Sequence, residues 1–456
     1  MKSELRQEIR WPRRQFVKVA VASLPGMVSG LSGLRAEESG KKKIKVAVVM
    51  TVFFYRSHAH VILENFLQPY LFNGKVVDPR KEFEIVSFYV DQLAVGEGGK
   101  STDMSHAVAK EFGIPVFETI NEALCLGGKD MAVDAVLMIG EHGKYPFNDK
   151  GQELYPKKQF FDEIVEVYEK SGRVAPLYCD KHLSHSWSEA KEMYDTSQRM
   201  GFGMMAGSSV PLAERRPPLK VPAGIKIVEA VSIHGGPVER YDFHGFEVLQ
   251  SIVEARKGSE SGVSEIHFLE GANLWKAADE GRWSVDLAAT AMRAEFPDDK
   301  QTLKKMCASR FADAELYGIL VRYKDGTRGT VLKIGNDGIR WNFACQVDGG
   351  SKPLATRFHV GPWNNRNLFR ALSYSIQELF RQGKSPYPVE RTLITTGMLE
   401  AAMESRDRKD VSLKTEQLEF AYKAQNFDAM REMGATWKII TEDMQQPKGI
   451  EAVLGK

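Results

Sequence analysis

The segment Ile44–Phe54, with the sequence IKVAVVMTVFF, is a nearly unbroken apolar run that leads into a stretch with helical spacing. Such a run is typical of a strand buried on both faces of a parallel sheet. A strand, a turn and a helix in this order open a dinucleotide-binding fold of Rossmann type, whose turn normally carries three glycines. Here Met50, Val52 and Tyr55 take those positions. Because their side chains would fill the volume of a pyrophosphate, the segment predicts a Rossmann scaffold with a rebuilt phosphate-binding turn.

The pattern along the rest of the chain predicts two kinds of sheet. An apolar stripe from Ile62 to Leu71 predicts the first helix, and strands and helices then alternate up to Ser209. This alternation favours a parallel, doubly wound sheet. From Pro211 onward, short strand-like runs separated by turns favour an antiparallel sheet. We therefore predict an α/β protein with a Rossmann-like domain over residues 41–181. Residues 182–456 are predicted to form an α+β domain with a large, mostly antiparallel open sheet.

Composition limits the classes of function. The chain has 456 residues, 43% of them hydrophobic, which is enough for two domains with sizeable cores. Its formal net charge of +2 becomes −3 without residues 1–36, which hold seven basic and two acidic side chains. A nearly neutral chain with no basic stripe argues against nucleic acid as a partner. The four cysteines fit no zinc or redox spacing, and no metal site is predicted.

The N-terminus predicts export. Arg13-Arg14 form a twin-arginine pattern, and the stretch Val19–Leu34 that follows is only mildly apolar. Its glycines and serines make it too weak for a stable membrane anchor. It ends at Leu34-Arg35-Ala36, an acceptable small-residue cleavage site. We expect residues 1–36 to be a twin-arginine signal peptide that directs the protein to the periplasm or the extracellular space. A retained anchor helix or a chance pair of arginines are the alternatives.

Four segments, in the right order, resemble those of one known family. Asp130–Ile139 resembles its fourth Rossmann strand, and Asp180-Lys181-His182 stands where the family has Glu-Lys-Pro. Gly235–Glu247 has the length and order of its Gly-Gly…Asp-x-Gly-x-His segment, and Pro388–Ser405 resembles its C-terminal helix. Over residues 44–425 the chain thus resembles the glucose–fructose oxidoreductase, inositol dehydrogenase and MocA family (Gfo/Idh/MocA). The resemblance implies NAD or NADP as cofactor and a sugar, polyol or sugar derivative as substrate. It also implies a homo-oligomer that packs through the open sheet of its second domain.

The resemblance further implies a catalytic pair. Lys181 and His244 match the family's lysine and histidine, which flank the substrate carbon that faces the nicotinamide. Removal of a hydride from a carbinol carbon requires a base for the hydroxyl proton, a role that suits an imidazole. Arg240 replaces an acid of the family. Its charge is expected to lower the pKa of His244 and to favour an acidic substrate.

Other polar residues stand at predicted strand ends and helix starts, where α/β sheets bind their ligands. Asp91 ends a strand at the place where a carboxylate holds the ribose hydroxyls, and a strand-end cap is the alternative. The amides near Ser57 could bind an anion at a helix N-terminus. The predicted cofactor-binding residues are Ser57, His58, Asp91 and Glu141, and the predicted substrate-binding residues are His142, Asp180, His182, His185, Arg240 and Glu247.

Two functions are open at this point. The first is an exported oxidoreductase that acts on a sugar, polyol or sugar derivative with NAD or NADP. The second is a protein with the same fold but no working nicotinamide site, which serves as a carbohydrate lyase or hydrolase or as a binding protein. The residues of the turn predict weak or absent binding of added NAD or NADP. In either case Lys181 and His244 are expected to face each other across the cleft between the domains.

Overall fold

The computed structural model describes residues 42–94 and 102–451, so the predicted signal peptide lies outside the described residues. The elements of the first half are, in chain order, β1 Ile44–Met50, α1 His58–Leu67, β2 Tyr70–Phe72, β3 Lys75–Val77, β4 Phe83–Val90, α2 Ser105–Phe112, β5 Val116–Phe117, α3 Ile120–Cys125, β6 Ala135–Ile139, α4 Lys157–Ser171, β7 Leu177–Asp180, α5 Trp187–Met200 and β8 Met204–Gly207.

The apolar run Ile44–Met50 forms the central strand of a six-stranded parallel sheet with the order β5-β4-β1-β6-β7-β8. Strand β1 pairs on both sides, with β4 and β6, and its side chains from Val46 to Met50 are buried. This strand order is that of a doubly wound Rossmann sheet, which binds ligands at the C-terminal ends of its strands. The predicted parallel sheet is confirmed.

The parallel sheet extends beyond Lys181, where the sequence places the domain boundary. Helix α5 follows that position, and strand β8 then pairs with β7. The boundary at residues 181/182 therefore falls inside the sheet. The change of sequence pattern near Pro211 lies closer to the end of the parallel sheet, because a short 3-10 helix at Val210–Leu212 follows the last strand of that sheet.

The helix predicted from Ile62 to Leu71 is shorter than its apolar stripe. Helix α1 ends at Leu67, and Tyr70–Phe72 pairs with Lys75–Val77 in a hairpin. Asn73 and Gly74 between them both have positive φ, at 49° and 73°. An Asn-Gly pair is a strong hairpin signal, and here it overrides the helical periodicity before it.

The elements of the second half are β9 Glu214–Arg216, β10 Ile227–His234, α6 Arg240–Val253, β11 Val263–Glu270, α7 Gly271–Asp279, α8 Val285–Arg293, α9 Leu303–Arg310, β12 Tyr317–Tyr323, β13 Arg328–Lys333, β14 Trp341–Val347, β15 Leu354–His359, α10 Asn365–Gln382, α11 Val389–Asp407 and β16 Leu413–Lys414. Their strands form one sheet with the order β16-β11-β12-β13-β10-β14-β15-β9. The pair β10–β13 is parallel and the other neighbours are antiparallel, so the predicted mostly antiparallel sheet is confirmed.

Helices cover both faces of this second sheet. Helices α6 and α11 pack on one face, and α7, α8 and α9 pack on the other. Neighbouring residues of β10 therefore face opposite sides of the sheet. Ala230 lies in the core with α6, and Val231 lies in the core with α8. The helices of Gly271–Arg310 were not predicted from the sequence.

The last part of the chain returns to the first sheet. Helix α10 packs on α1, and the segment after α11 passes over both. Trp363 donates through Nε1 to the carbonyl of Met444 at 3.0 Å, and Ile440 is buried beside Leu71. Over the described residues, no helix is both long and apolar enough to cross a membrane.

Candidate functional site

Buried polar side chains gather where β6, β7 and β8 end and helix α6 approaches the first sheet. We term this set the polar cluster; its members, linked by the contacts below, are Glu141, Lys157, Asp180, Lys181, His182, Ser208, Glu239, His244 and Glu247. The location is the edge of a doubly wound sheet at which ligands bind.

Glu141, which follows β6, is held between two lysines. Its Oε1 lies 2.6 Å from Nζ of Lys157, and its Oε2 lies 3.0 Å from Nζ of Lys181. Burial alone would raise the pKa of Glu141, but the two ammonium groups outweigh it and hold this pKa well below its ordinary value. The carboxylate is ionised and engaged within the protein. Its predicted contact with a cofactor stays a prediction, and these contacts do not favour it.

The two lysines differ in how many of their N–H donors are used. Nζ of Lys157 lies near Glu141, the backbone oxygens of Asp180 and His182, each at 3.0 Å, and Nδ1 of His182 at 3.1 Å. An ammonium group has three donors, so Lys157 has none left. The ammonium of Lys181 has Glu141 as its single partner within the described part of the chain, and it keeps two donors. Lys181 is therefore the lysine of the polar cluster whose N–H donors are not all used within the described residues.

Lys181 is held in an unusual backbone conformation. Its φ is 61°, in the left-handed region that costs a non-glycine residue about 1–2 kcal/mol. Burial would lower the pKa of Lys181, but the carboxylates of Glu141 and Glu239 outweigh burial and raise it. The side chain is a cation at neutral pH.

Gly207, the last residue of β8, connects Lys181 with His244. The N–H of Gly207 donates to the carbonyl of Lys181 at 3.1 Å, and Oγ of Ser208 lies 2.6 Å from Nδ1 of His244. Gly207 has a φ of 121°, and a Cβ atom there would lie 2.8 Å from Oε2 of Glu247. This close approach requires glycine. The structure thus links Lys181 to His244 through the backbone of Gly207 and the hydroxyl of Ser208, a connection that we term the frame.

Glu247 completes this frame. Its carboxylate accepts hydrogen bonds from the hydroxyls of Thr392 and Thr395, at 3.1 and 2.7 Å, and from the amide of Ser208 at 3.4 Å. Burial raises its pKa. Glu247 therefore holds Ser208 in place, and its predicted contact with substrate stays a prediction that these contacts do not favour.

His244 is a neutral imidazole. Burial, followed by the charges of Lys181 and His58, lowers its pKa well below the ordinary value. The sequence predicts Arg240 as the cause of this shift. In the structure the guanidinium of Arg240 pairs with Glu153 and is almost half exposed, so this part of the prediction is wrong.

Side chains of the protein fill the space above the ends of β1 and β6. His58, the first residue of α1, lies with Nδ1 at 2.5 Å from Oδ2 of Asp180, which ends β7. Since β6 lies between β1 and β7, this contact crosses the end of β6. The His142 ring packs edge-on against His58 and Phe54, with ring centroids 5.0 and 5.4 Å apart. Burial, followed by His58, lowers the pKa of His142 to about 3.

In the turn between β1 and α1, Met50 and Val52 are buried and Tyr55 is 38% exposed. That the side chains of this turn occupy the volume of a pyrophosphate stays a prediction. The turn is tied down elsewhere: Thr51 donates to the carbonyl of Glu141 at 2.7 Å. Arg56 donates to Oε1 of Gln446 at 2.8 Å, in the C-terminal segment.

The residues present do not fit a dinucleotide in the usual pose. A pyrophosphate needs close backbone approach at the turn, and the nicotinamide half lies over the C-terminal ends of the strands. Here the contact between His58 and Asp180 crosses that path. Asp91, predicted to hold ribose hydroxyls, already accepts the phenol hydroxyls of Tyr89 and Tyr145, at 3.0 and 2.6 Å. Its role stays a prediction, as does that of His58.

The other predicted residues divide between the polar cluster and its surroundings. His182 is buried, with Nε2 3.6 Å from Oε1 of Glu239, and burial followed by the charge of Lys157 lowers its pKa. Ser57 caps α1 by accepting the amide of His60. His185 lies outside the cluster, partly exposed beside Glu189.

Three members of the polar cluster, Lys157, Ser208 and Glu239, are not among the predicted site residues. Lys157 carries no sequence signal, because a lysine at a helix start is usually solvated. Glu239 does carry one, since it precedes α6 and forms a capping box with Asp242, whose carboxylate accepts the amide of Glu239 at 2.7 Å. In residues 42–94 and 102–451, no group of three or more His, Cys, Asp or Glu side chains is arranged to hold a metal ion.

Comparisons with known proteins support the fold. No protein-family model matches the sequence, and no curated protein does. A solved structure of myo-inositol dehydrogenase from Lactobacillus casei, in complex with NAD(H) and myo-inositol, is similar with a TM-score of 0.50 and 12% identity; it covers 85% of this chain and 99% of its own. A myo-inositol dehydrogenase from Corynebacterium glutamicum has a TM-score of 0.49 and 11% identity, over 82% of this chain and 99% of its own.

The likeness extends over nearly the whole length of the Lactobacillus casei enzyme and includes both sheets. At this identity it establishes architecture, and the chemistry has to be argued from the site. The chain therefore has the two-domain fold of the Gfo/Idh/MocA dehydrogenases, as its sequence predicted.

Proposed function

We propose that this protein is an enzyme that acts on a sugar-like small molecule by polarising a carbonyl or carboxylate oxygen. Lys181 and His244 are the catalytic residues that contact that oxygen. The reaction class is proton exchange at the neighbouring carbon, the first step of an elimination or an isomerisation, without nicotinamide. Lys181 and His244 stabilise the negative charge that develops on the oxygen, and a water molecule takes up the proton that leaves the carbon and returns one to it. Elimination corresponds to the lyase within the second function that the sequence leaves open, and isomerisation goes beyond it.

One observation carries the proposal: the ammonium of Lys181, with two unused donors, and the neutral imidazole of His244 are linked by the same frame. The ammonium of Lys181 has one partner within the described residues, and His244 is linked to the same frame through Ser208. Donors that are fixed in place stabilise negative charge as it develops on a substrate oxygen. The paired carboxylates around them keep the frame in place.

The substrate class rests on analogy with the fold and on the charge of Lys181. The Lactobacillus casei structure contains myo-inositol, and we extend a polyhydroxylated substrate to this chain as part of the proposal. Two unused N–H donors of an ammonium group favour a substrate oxygen that carries or develops negative charge. Sugar acids and keto-sugars combine the two properties.

Proton exchange in deuterated water tests the proposal without knowledge of the product. The purified protein is incubated with a panel of sugar acids, keto-sugars and keto-polyols, and deuterium incorporation is followed by NMR. We expect exchange at one carbon of at least one compound. Lys181→Met should slow it by about 10²–10³-fold, the usual cost of one such donor. Lys158→Met, at a partly exposed neighbour that pairs with Asp162 and Glu192, is the matched control and should exchange as the wild type does.

Nicotinamide binding is the opposing outcome. Calorimetry with NAD and NADP, together with a nucleotide assay on the denatured protein, should detect neither binding nor released cofactor. A micromolar dissociation constant, with reduction of the nucleotide by a polyol, would overturn the proposal in favour of the oxidoreductase that the resemblance implies.

Export by the twin-arginine route is a further part of the proposal. The support is the sequence of residues 1–36 alone. Sequencing of the N-terminus of the secreted protein should find a start near Glu37. An intact Met1 on a cytoplasmic product would contradict it.

A further inference from the structure

We infer that Ser208 is a positioning residue that fixes the ring proton of His244 on Nε2, so that His244 meets the substrate as an N–H donor and not as a base. The inference rests on the proposed function in that it assumes a substrate oxygen near His244. It adds the residue Ser208 and the direction of its hydrogen bond with His244, neither of which is part of the proposed function.

The hydrogen bonds of the Ser208 hydroxyl determine the direction. Its Oγ accepts the amide of Val210 at 3.0 Å and lies 2.6 Å from Nδ1 of His244. Within the described residues, Nδ1 is the one atom near this hydroxyl that is able to accept its proton. A buried hydroxyl whose proton has no acceptor costs about 1–3 kcal/mol. Ser208 therefore donates to Nδ1, and the neutral ring carries its own proton on Nε2.

The position of the hydroxyl is fixed from two sides. Glu247 accepts the amide of Ser208, and Glu247 and His244 lie on the same helix, α6. Gly207 before it is held close to Glu247 by a contact that admits no side chain. Ser208 is 3% exposed, so water does not compete freely for its hydroxyl. The serine cannot rotate away without breaking the helix-start bond to Val210.

The chemical environment agrees with a donor role. A base near neutral pH needs a pKa close to that range. His244 is buried beside the ammonium of Lys181, which opposes a second positive charge. A neutral ring whose Nε2 carries a proton can instead donate to an oxygen that becomes negative, together with Lys181. The general-base role that the resemblance implies for His244 is thereby replaced.

Nitrogen NMR of the protein with labelled histidine tests the inference without any substrate. The His244 signals are assigned by their loss in His244→Asn. In the wild type we expect a protonated Nε2 and an unprotonated Nδ1. In Ser208→Ala the two tautomers should mix, and Ser208→Thr, which keeps the hydroxyl, should restore the wild-type pattern. Ser209→Ala is the control, since the neighbouring Ser209 is also buried but contributes no hydroxyl to His244.

The same variants give a kinetic readout once an exchanged substrate is known. Ser208→Ala should lower the exchange rate about 10- to 100-fold, as is usual for a residue that orients a catalytic imidazole, and Ser208→Thr should recover most of it. A proton on Nδ1 in the wild type would overturn the inference and leave the proposed function standing. The expected tautomer in a protein without exchange activity would confirm the inference and overturn the proposed function. Unfolding curves establish that each variant is folded.

Discussion

At the scale of the residue, the polar cluster is organised around one buried carboxylate and the lysines that neutralise it. Lys157 supports this arrangement, because its ammonium group donates to Oε1 of Glu141 and to the carbonyls of Asp180 and His182. A buried charge that loses its partner is far more costly than a surface pair that is removed. The cluster therefore depends on a residue that contacts no substrate.

Lys157→Met tests this dependence. We expect a loss of about 3–5 kcal/mol in the free energy of unfolding, since Glu141 keeps only Lys181 as a partner. Urea unfolding provides the measurement. Lys158→Met removes a lysine that pairs with Asp162 and Glu192 at the surface, and it should change stability by about 0–1 kcal/mol. Equal effects of the two substitutions would show that Lys157 is not the support of the cluster.

His60 should make the fold sensitive to mild acid. Burial, followed by the charge of Arg366, lowers its pKa from 6.5 to about 3. Between these two values the unfolded chain binds more protons than the folded one, so stability is complete above 6.5 and falls as the pH falls toward 3. At pH 5 the loss is about 2 kcal/mol.

His60→Gln keeps an acceptor for the amide of Arg56 but does not titrate, so its stability should depend less on pH. The measurement is the urea midpoint at pH 7 and at pH 5 in both proteins. His185→Gln, at a partly exposed histidine, should keep the wild-type dependence. A wild-type slope in His60→Gln would refute the assignment.

Residues that follow strands were easier to predict than residues that depend on a loop path. Glu141 follows β6, Asp180 is the last residue of β7, and Lys181 follows β7. Because parallel strands have their C-terminal ends at one edge of the sheet, these three residues are expected near that edge. Lys157 reaches the same edge only because residues 142–156 fold back over it, and no local pattern encodes that path. The contact between the hydroxyl of Ser208 and Nδ1 of His244 is likewise a property of the packed site.

At the scale of the element, the ends of strands decide the chemistry. Strand β8 ends in Gly207, whose φ of 121° and tight contact with Glu247 allow Ser208 to meet His244. The sequence predicts this strand, but the need for glycine depends on a helix far along the chain. Helix α1 shows the converse, because its early end at Leu67 is encoded locally in Asn73-Gly74.

Gly207→Ala should therefore be more harmful than alanine at an ordinary helix-end glycine. A Cβ at Gly207 would lie 2.7 Å from Oγ1 of Thr392 and 2.8 Å from Oε2 of Glu247. Gly172 also has positive φ, but a Cβ there meets nothing within 4 Å. We expect about 1 kcal/mol for Gly172→Ala and about 1–3 kcal/mol more for Gly207→Ala.

Thermal or urea unfolding gives the comparison between these variants. Gly207→Ala should also disturb the His244 tautomer signals, which Gly172→Ala should leave unchanged. A Gly207→Ala protein with the stability of Gly172→Ala would mean that the frame is looser than its contacts indicate.

At the scale of the whole molecule, the second sheet is enclosed by its own chain. The resemblance predicts a homo-oligomer that packs through the open face of this sheet. In the structure, α8 covers that face, and Leu287 and Met292 are buried against β10 and β14. A homo-oligomer of this protein, which stays a proposal, would have to use another surface. The fold class could be predicted from periodicity. This cover was not predicted: the apolar residues of α8 recur with helical spacing and Ser284 caps the helix, but such a pattern does not encode which face of which sheet the helix covers.

Hydrogen exchange at two protein concentrations tests whether the cover is intramolecular. The amides of α8, β10 and β14 should be protected to the same degree in concentrated and in dilute solution, because α8 belongs to the same chain as the sheet. A cover supplied by a second copy would instead dissociate on dilution, since its occupancy depends on protomer concentration. Protection of β14 that falls with dilution would contradict the prediction. The amides of β1, buried at the centre of the first sheet, serve as the reference that dilution does not affect under either outcome.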